Sequence, residues 1–209
     1  MNIAVFPLGP LDTNCFVVHS EIEALAVDPG GQPDEVLDFL RANSLTLTHI
    51  LLSHLHFDHT YGVAELVRQT GAKVLGPEGD RSMLENEMGL GGLWGLPKVE
   101  PYEYSAQLPG PLQLLGTDCL VLSTPGHTPG GLSFYFPALK AVFSGDTLFY
   151  RSIGRSDFPG GSQHSLEESI RKELFSLPDD TRVYCGHGPQ TTIGDERRNN
   201  PYVSDFSAR

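Results

Sequence analysis

The sequence lacks a basic face of the kind that nucleic-acid-binding proteins use. Its 209 residues include 14 Lys and Arg against 26 Asp and Glu, which gives a formal net charge of -12. Nucleic acids are bound by stripes of Lys and Arg that neutralise phosphates. The densest basic spot, Arg197-Arg198, directly follows two acids. This balance excludes nucleic acid as the expected partner.

Long apolar runs and paired cysteines are also missing. No apolar run approaches the roughly 20 residues that cross a bilayer, and the first residues do not follow the pattern of a signal peptide. The three cysteines, Cys15, Cys119 and Cys185, lie far apart and match no zinc motif. We interpret them as small buried residues, although Cys185 lies close to a candidate ligand. The sequence therefore predicts a cytoplasmic protein with no membrane partner.

The composition is that of a globular protein. Hydrophobic residues make up 39% of the chain and charged residues 19%, which is not the composition of a disordered chain. A protein of this length buries roughly 70% of the surface that it exposes when unfolded. Folding therefore needs no disulfide or structural metal, and we expect any metal site to serve function.

The apolar periodicity predicts two similar halves. The predicted strands span residues 3–6, 14–19, 24–27, 47–53 and 73–75, then 112–115, 119–123, 132–136, 141–144 and 181–184. The predicted helices span residues 33–42, 59–69, 80–87 and 165–177. Ser165 and Glu168 form a plausible capping box for the last helix, and the tail after the last strand is polar. No segment has the composition of a linker, so we expect one domain over residues 1–209, with two packed sheets and helices outside.

Residues 89–98 combine glycine with apolar side chains and contain Trp94, the only tryptophan. One interpretation is a mobile flap, since functional loops are often glycine-rich and surface-exposed. The other interpretation is a buried irregular loop with Trp94 in the core. The sequence leaves both interpretations open.

The strongest chemical signal is the run His54-Leu55-His56-Phe57-Asp58-His59, which directly follows a predicted strand. Side chains two residues apart on an extended segment point to the same side, so His54 and His56 can bind one ion. Asp58 and His59 lie at the turn into the next helix and can face a second ion. Imidazole and carboxylate ligands without thiolate indicate zinc, with iron or manganese as alternatives.

Three more potential ligands share one local pattern, a strand followed by a glycine-flanked turn. They are His127, Asp146 and His187. Glycine beside a ligand lets the backbone approach an ion and adopt unusual dihedral angles. Each turn alone is weak evidence. Together with the first cluster, however, the three residues complete a set of seven candidate ligands.

The order His-x-His-x-Asp-His, then His, Asp and His, resembles the metallo-β-lactamase superfamily. The resemblance covers the whole chain and implies an α/β fold, an αββα sandwich of two mixed sheets with the metal site at one edge. It assigns the seven ligands to two divalent ions: His54, His56 and His127 to the first, Asp58, His59 and His187 to the second, and Asp146 to both. It also implies that Ser53, which precedes the motif, supports these ligands through hydrogen bonds.

Further segments resemble the hydroxyacylglutathione hydrolase, or glyoxalase II, group. They include Gly145-Asp146-Thr147-Leu148-Phe149, Ile153-Gly154-Arg155 and Cys185-Gly186-His187. This resemblance implies hydrolysis of a small-molecule thioester, S-lactoylglutathione or a related acyl-thiol. A hydroxide between the two ions would attack the acyl carbonyl, and Asp58 would accept or orient its proton. Arg155 would hold the glutathione part, unless it is a surface arginine that pairs with Asp157.

Longer members of the glyoxalase II group differ from this chain in two ways. They carry a C-terminal helical domain with further glutathione contacts, for which residues 1–209 leave no room after His187. They also carry an aromatic residue where this chain has Pro189. Both differences imply an incomplete thiol pocket. The run from Gly154 to Gly161 resembles that of the short bacterial glyoxalase II-like proteins.

Two other functions stay open. The run from Gly154 also resembles the persulfide dioxygenases, which would use one iron on His54, His127 and Asp146 to oxidise glutathione persulfide. A non-enzymatic metal-binding module is the other hypothesis. We interpret the remaining histidines as surface, capping or core residues: His19, His49 and His164.

Overall fold

A computed structural model of the chain describes residues 1–93 and 95–204. These residues form two compact units, Met1–Gln107 and a second that begins at Leu108. Each unit contains one six-stranded sheet with both parallel and antiparallel pairs. The expectation of one domain over residues 1–209 stays a prediction.

The first unit holds six strands in sequential order across its sheet. They are β1 (Asn2–Leu8), β2 (Thr13–His19), β3 (Glu23–Val27), β4 (Thr46–Leu51), β5 (Lys73–Pro77) and β6 (Ser105–Gln107). The first three strands pair antiparallel, and β3 through β6 pair parallel. The helices are α1 (Asp34–Ala42), α2 (Phe57–Thr60), α3 (Val63–Thr70) and α4 (Glu87–Leu90), with a 3-10 helix at Glu78–Glu85. The sheet and helices share one apolar core, in which Val17, Ile50 and Leu66 are fully buried.

The helix predicted at residues 59–69 is broken into α2 and α3 at Gly62. The backbone N–H of Gly62 donates to Pro29 O at 2.7 Å. A Cβ at position 62 would lie 2.3 Å from Gly31 O, so only glycine fits this contact. Tertiary packing against the turn after β3 therefore overrides the helical periodicity. The predicted end of the helix is confirmed, because Gly71 caps α3 in the left-handed conformation with φ 70°.

Within the glycine-rich segment, Gly91 and Lys98 form an isolated antiparallel bridge. Val99 N–H donates to Leu90 O at 2.9 Å, and Gly92 N–H donates to Pro97 O at 3.0 Å. A Cβ on Gly91 would lie 3.2 Å from Phe57 Cβ, so this bridge packs against α2. Trp94 lies outside the described residues, and the choice between a flap and a buried loop stays open.

The second unit holds the other six-stranded sheet. Its strands are β7 (Gly110–Leu114), β8 (Thr117–Ser123), β9 (Leu132–Phe136), β10 (Ala141–Gly145), β13 (Arg182–Cys185) and β14 (Thr191–Thr192). Across the sheet they lie in the order β14-β13-β10-β9-β8-β7. A separate hairpin pairs β11 (Leu148–Phe149) with β12 (Ser152–Ile153). The helices are α5 (Gln163–Lys172) and α6 (Ile193–Asn199), with 3-10 turns at Pro137–Leu139 and Leu174–Ser176. Leu148, Leu166 and Ile170 are fully buried in the core of this unit.

The predicted capping box of α5 is wrong. The helix begins at Gln163, and its N-cap is Ser162, whose Oγ accepts from the backbone N–H of Ser165 at 3.3 Å. Ser162 and Ser165 both precede the apolar residues of the helix, and the spacing of Ser165 to Glu168 alone favoured Ser165 as the cap. The polar tail also contains a helix that was not predicted, α6, which Thr192 caps in the same way.

The structure bears on two features of the composition, the few cysteines and the lack of long apolar runs. The prediction that the three cysteines are buried is confirmed for Cys15, Cys119 and Cys185. Among the described residues, none of the helices has the length and apolar character needed to cross a membrane.

The cap of α5 yields a direct test. We expect Ser162→Ala to lower the free energy of unfolding by about 1 kcal/mol, because it removes the side-chain acceptor for an N-terminal N–H. Ser165→Ala is the matched control, since Ser165 contributes its backbone and not its side chain to the cap. Urea unfolding of both variants measures the difference. An equal loss in the two variants would contradict the assignment of Ser162 as the cap.

Candidate metal centre

In the first unit, the candidate ligands and Asp28 lie at the carboxyl ends of two parallel strands. Asp28 directly follows β3, and Ser53-His54 follow β4 after one further residue. The two strands are hydrogen-bonded neighbours with Val27 opposite Leu51. Parallel strands bring their carboxyl ends to the same edge of a sheet, so side chains that follow them lie close together. All the candidate ligands of this unit, His54, His56, Asp58 and His59, are buried.

Asp28 is the organising residue of this cluster, and it was not among the site residues predicted from the sequence. Its Oδ1 accepts the backbone N–H of Ser53 at 2.8 Å. Its Oδ2 accepts the Ser53 hydroxyl at 2.6 Å and lies 3.0 Å from His59 Nδ1. The residue itself has φ 50°, an unusual angle for a non-glycine residue. One signal was available, because Asp28 directly follows a strand and has glycines close by, as Asp146 does: Gly30 and Gly31 come after Asp28, and Gly145 comes before Asp146.

The hydrogen bonds around Ser53 determine which nitrogens carry protons. The Ser53 hydroxyl has one hydrogen, which it donates to Asp28, so it accepts from His54 Nδ1 at 3.0 Å. His59 Nδ1 likewise donates to the Asp28 carboxylate. We therefore assign a proton to Nδ1 in both imidazoles, which leaves the lone pair of the neutral ring on Nε2. That is the tautomer that binds a metal ion through Nε2.

The other two residues of the motif complete the cluster. The ring of His54 lies 4.7 Å from that of His56 and 4.1 Å from that of His59, between centroids. Asp58 Oδ2 lies 3.7 Å from His59 Nε2 and 3.5 Å from the hydroxyl of buried Thr13. Ligand atoms of Asp28, His54 and His59 also fall within 4.8 Å of one another. Because the Asp28 oxygens accept three hydrogen bonds, we interpret Asp28 as the orienting group and not as a ligand.

A close backbone contact holds Asp58 at the start of α2. A Cβ on Gly30 would lie 1.7 Å from the carbonyl oxygen of Asp58, so the turn after β3 packs directly on the ligand segment. Any other residue at position 30 would push the two segments apart. Gly30 is therefore required by the position of Asp58.

In the second unit, the three candidate ligands again follow strands. His127 lies in the turn after β8, Asp146 directly follows β10, and His187 follows β13. Strands β10 and β13 are parallel neighbours with Gly145 opposite Cys185. His127 Nε2 lies 3.6 Å and His187 Nε2 lies 3.7 Å from the same oxygen, Asp146 Oδ2.

These separations suit ligands of a common ion better than direct hydrogen bonds. Hydrogen bonds between nitrogen and oxygen are 2.7–3.2 Å long. Two ligand atoms bound to one tetrahedral zinc ion at about 2.1 Å lie about 3.4 Å apart. The donor set, neutral imidazole and carboxylate, also fits a divalent metal of the zinc or iron type. The residues of the second unit therefore fit a metal, as do those of the first.

His127 is oriented by a backbone atom that no sequence pattern reveals. Its Nδ1 lies 2.7 Å from the carbonyl oxygen of Arg155, to which it donates. Gly154 makes this approach possible, because a Cβ there would lie 1.9 Å from Asp146 O and 3.4 Å from His127 Cβ. The segment after β12 thus touches two of the three candidate ligands of this unit.

The Arg155 side chain occupies an exposed position beside this segment. Its guanidinium donates to both oxygens of Asp157, at 2.8 and 2.7 Å, and lies 3.8 Å above the ring of Phe158. The hydrogen bonds from Arg155 lower the pKa of the Asp157 carboxyl to about 2. The pair between Arg155 and Asp157, which the sequence analysis gave as the alternative to substrate binding, is present. The substrate-binding role of Arg155 stays a prediction.

The remaining residues singled out from the sequence have other surroundings. The single S–H of Cys185 is shared between the backbone carbonyl oxygens of His187 and Pro189, which lie 3.2 and 3.3 Å from the sulfur, and burial raises the pKa of the thiol to about 12. It shapes the turn that carries His187. The other three histidines lie apart from the ligand clusters: His19 against Phe39, His49 beside Thr48 and His164 exposed on α5.

Comparisons with known proteins agree with this geometry. Residues 8–187 match the family model described as the metallo-beta-lactamase superfamily. The chain belongs to this superfamily. Hydroxyacylglutathione hydrolase GloC of Haemophilus influenzae is 35% identical over 99% of the chain and 100% of its own length.

Two solved structures with more than 30% identity extend the likeness to three dimensions. One is BLEG-1, a B3 metallo-beta-lactamase, with a TM-score of 0.90 and 36% identity over 97% of this chain and 99% of its own. The other is TTHA1623 in a di-iron-bound form, with a TM-score of 0.86 and 39% identity over 96% of this chain and 100% of its own. The predicted αββα sandwich class is confirmed. As a member of the superfamily, the chain is a metallo-hydrolase with a His-rich metal centre.

Removing the charge of Asp28 tests its orienting role. We expect Asp28→Asn to weaken metal binding by roughly 10–100-fold, because outer-shell partners of ligating histidines have effects of that size. Competition with a chromogenic chelator measures the affinity. Asp38→Asn, which changes an exposed acid on α1, is the control and should bind as the unchanged protein does. Equal affinity in all three proteins would show that Asp28 does not orient the ligands.

The pair between Arg155 and Asp157 has a measurable consequence for titration. We expect Arg155→Met to raise the pKa of Asp157 from about 2 toward the ordinary value of about 3.9, because the hydrogen bonds that favour the carboxylate are lost. The protonated fraction of Asp157 at about pH 3 should therefore increase in the variant. Carbon-13 NMR of the Asp157 carboxyl measures the midpoint. Arg68→Met, which removes a different exposed arginine, should leave that midpoint unchanged.

Proposed function

We propose that the chain is a thioesterase of the hydroxyacylglutathione hydrolase, or glyoxalase II, type. Its substrate would be S-lactoylglutathione or a related acyl-thiol. The observation that carries the proposal is the full-length likeness to GloC of Haemophilus influenzae, at 35% identity. It is supported by two sets of ligands with oriented imidazoles and by an arginine beside one of them.

The proposed metal assignment is the one that the sequence resemblance implies. His54, His56 and His127 would bind the first ion, Asp58, His59 and His187 the second, and Asp146 both. The Nδ1 hydrogen bonds of His54, His59 and His127 support metal binding by these three residues, because they leave Nε2 to bind metal. We propose zinc, with iron or manganese as alternatives, since TTHA1623 has a di-iron-bound form.

Divalent ions at these positions would supply a water that ionises near neutral pH and would polarise the acyl carbonyl. The chain would supply the rest. Asp58 would accept the proton of the attacking water, for which its carboxylate is held near His59 and Thr13. The thiol leaving group ionises at a pKa of about 8.5, so it departs as a thiolate without a general acid.

Arg155 would bind a carboxylate of the thiol part of the substrate. Its guanidinium is exposed and already holds the two Asp157 oxygens, a geometry that a substrate carboxylate can copy. The pair with Asp157 is exposed, and exposed ion pairs contribute little to stability. Exchange of Asp157 for a substrate carboxylate is therefore energetically accessible.

The test is hydrolysis by purified protein of measured metal content. We expect turnover of S-lactoylglutathione, and a loss of roughly 10²–10⁴-fold in kcat for Asp58→Asn because the general base is removed. Asp118→Asn, at a position on β8 outside the ligand sets, is the control. Removal of metal by a chelator should abolish turnover, and addition of Zn²⁺, Fe²⁺ or Mn²⁺ should restore it and identify the active ion.

Two further substrates decide between this proposal and its rivals. Oxygen uptake with glutathione persulfide, together with one iron per chain, would establish the dioxygenase hypothesis in its place. Hydrolysis of a β-lactam without hydrolysis of the thioester would contradict the thioesterase proposal and favour the activity named for BLEG-1. No turnover of any substrate by metal-loaded protein would leave the hypothesis of a non-enzymatic module.

A further inference from the structure

Glu196 on α6 is a fully buried carboxylate that the proposed reaction does not use. Its Oε1 accepts from Thr191 Oγ1 at 2.6 Å and from Arg151 Nη1 at 2.7 Å. Its Oε2 accepts from the backbone N–H of Arg151 at 3.0 Å and from Asn200 Nδ2 at 2.9 Å. Burying a carboxylate is unfavourable unless donors of this kind compensate for lost water.

The main partner of Glu196 is the tip of the hairpin that β11 and β12 form. Arg151 lies in the two-residue turn between these strands and has φ 55°, in the left-handed region. Its guanidinium also donates to Asp195 at 2.9 Å. Asn200 Nδ2 donates to Ser152 O at 3.0 Å. The tip is thus fastened to α6 and the residue after it through side chains and backbone together.

The base of the same hairpin lies against two candidate ligands. Asp146 precedes β11 by one residue, and Gly154 N–H donates to Thr147 O at 3.2 Å, which closes the hairpin behind Asp146. Gly154 packs on the Asp146 carbonyl. The next carbonyl, that of Arg155, accepts from His127 Nδ1 at 2.7 Å. A shift of the hairpin would therefore move both ligands and the Arg155 side chain.

We propose that Glu196 is a positioning residue for Asp146 and His127, acting through Arg151 and the hairpin. The proposal rests on the proposed function, because it takes these two residues as metal ligands. Stability alone does not call for a buried carboxylate at position 196, since an apolar residue of similar volume often serves at least as well as a member of an ion pair. The pair with Arg151 instead fixes the orientation of the hairpin tip. The Glu196 carboxylate accepts hydrogen bonds from both the guanidinium and the backbone N–H of Arg151, and these bonds hold the left-handed φ of that residue.

The test compares two neighbouring residues, Glu196 and Arg197, which anchor α6 through different contacts. Glu196→Ala removes the contact with the hairpin, and Glu196→Gln keeps the shape but removes the charge. Arg197→Ala is the matched control, because Arg197 binds Asp179 and the Phe175 and Leu177 carbonyls and has no contact with the hairpin among those found. The probe is Co²⁺ added to metal-free protein. The measurements are its affinity by chelator competition, its visible spectrum and the melting temperature of the metal-free protein.

We expect Glu196→Ala to weaken Co²⁺ binding about tenfold, the low end for groups that orient ligands, and to alter the visible spectrum. Glu196→Gln should fall between this variant and the unchanged protein. Arg197→Ala should lower the melting temperature without changing the Co²⁺ affinity or spectrum. This separation would distinguish positioning from general support of the fold.

Three results would overturn the positioning role. The first is unchanged Co²⁺ binding in both Glu196 variants. The second is an equal loss of affinity in Arg197→Ala at an equal loss of melting temperature. If Glu196→Ala does not fold, Glu196→Gln and Arg151→Met decide by the same criteria. The third, absence of Co²⁺ binding by the unchanged protein, is distinct because it would also remove the proposed metal centre.

Discussion

The candidate site depends on one constraint of the imidazole ring: Nε2 is held toward a cation only when something else holds Nδ1. In three of the five candidate histidines, the structure shows what holds it. Ser53 and Asp28 do so for His54 and His59, and the Arg155 carbonyl does so for His127. These partners are supplied by strand ends and by turns that only glycine allows. The sheets, the turns and the close glycine contacts therefore position the groups that make these hydrogen bonds.

Much of the site followed from the sequence because its signals are local. The run from His54 to His59 lies directly after an apolar strand, and the spacing of two residues by itself places side chains together. The turns at His127, Asp146 and His187 repeat one pattern, and the structure places all three after strands as expected. Superfamily membership confirmed the fold class. The ligand assignment to two ions and the role of Arg155 remain proposals.

What the sequence did not reveal depends on contacts between distant residues or on backbone atoms. Gly62 interrupts a periodic helix because Pro29 and Gly31 lie against it, and neither the contact nor its direction is encoded in the local pattern. The carbonyl of Arg155 orients His127. Every residue has a backbone carbonyl, so the residue type at position 155 gives no sign of this role. Glu196 is an acid in a polar segment, where nothing local distinguishes a buried carboxylate from a solvated one. Burial is a property of the fold, and it appears only once the chain is assembled.

The pairing of Arg155 with Asp157 has a consequence for how ionic strength would affect binding. Under the proposed role, a substrate carboxylate replaces the Asp157 carboxylate, so one contact between opposite charges is exchanged for another of the same kind. Salt screens both contacts alike, and the local part of the affinity should therefore be nearly independent of ionic strength. The chain as a whole carries a charge of -12 and repels an anion at longer range, an effect that salt reduces. Added salt should then favour capture of an anionic substrate, the reverse of what an unpaired arginine would give.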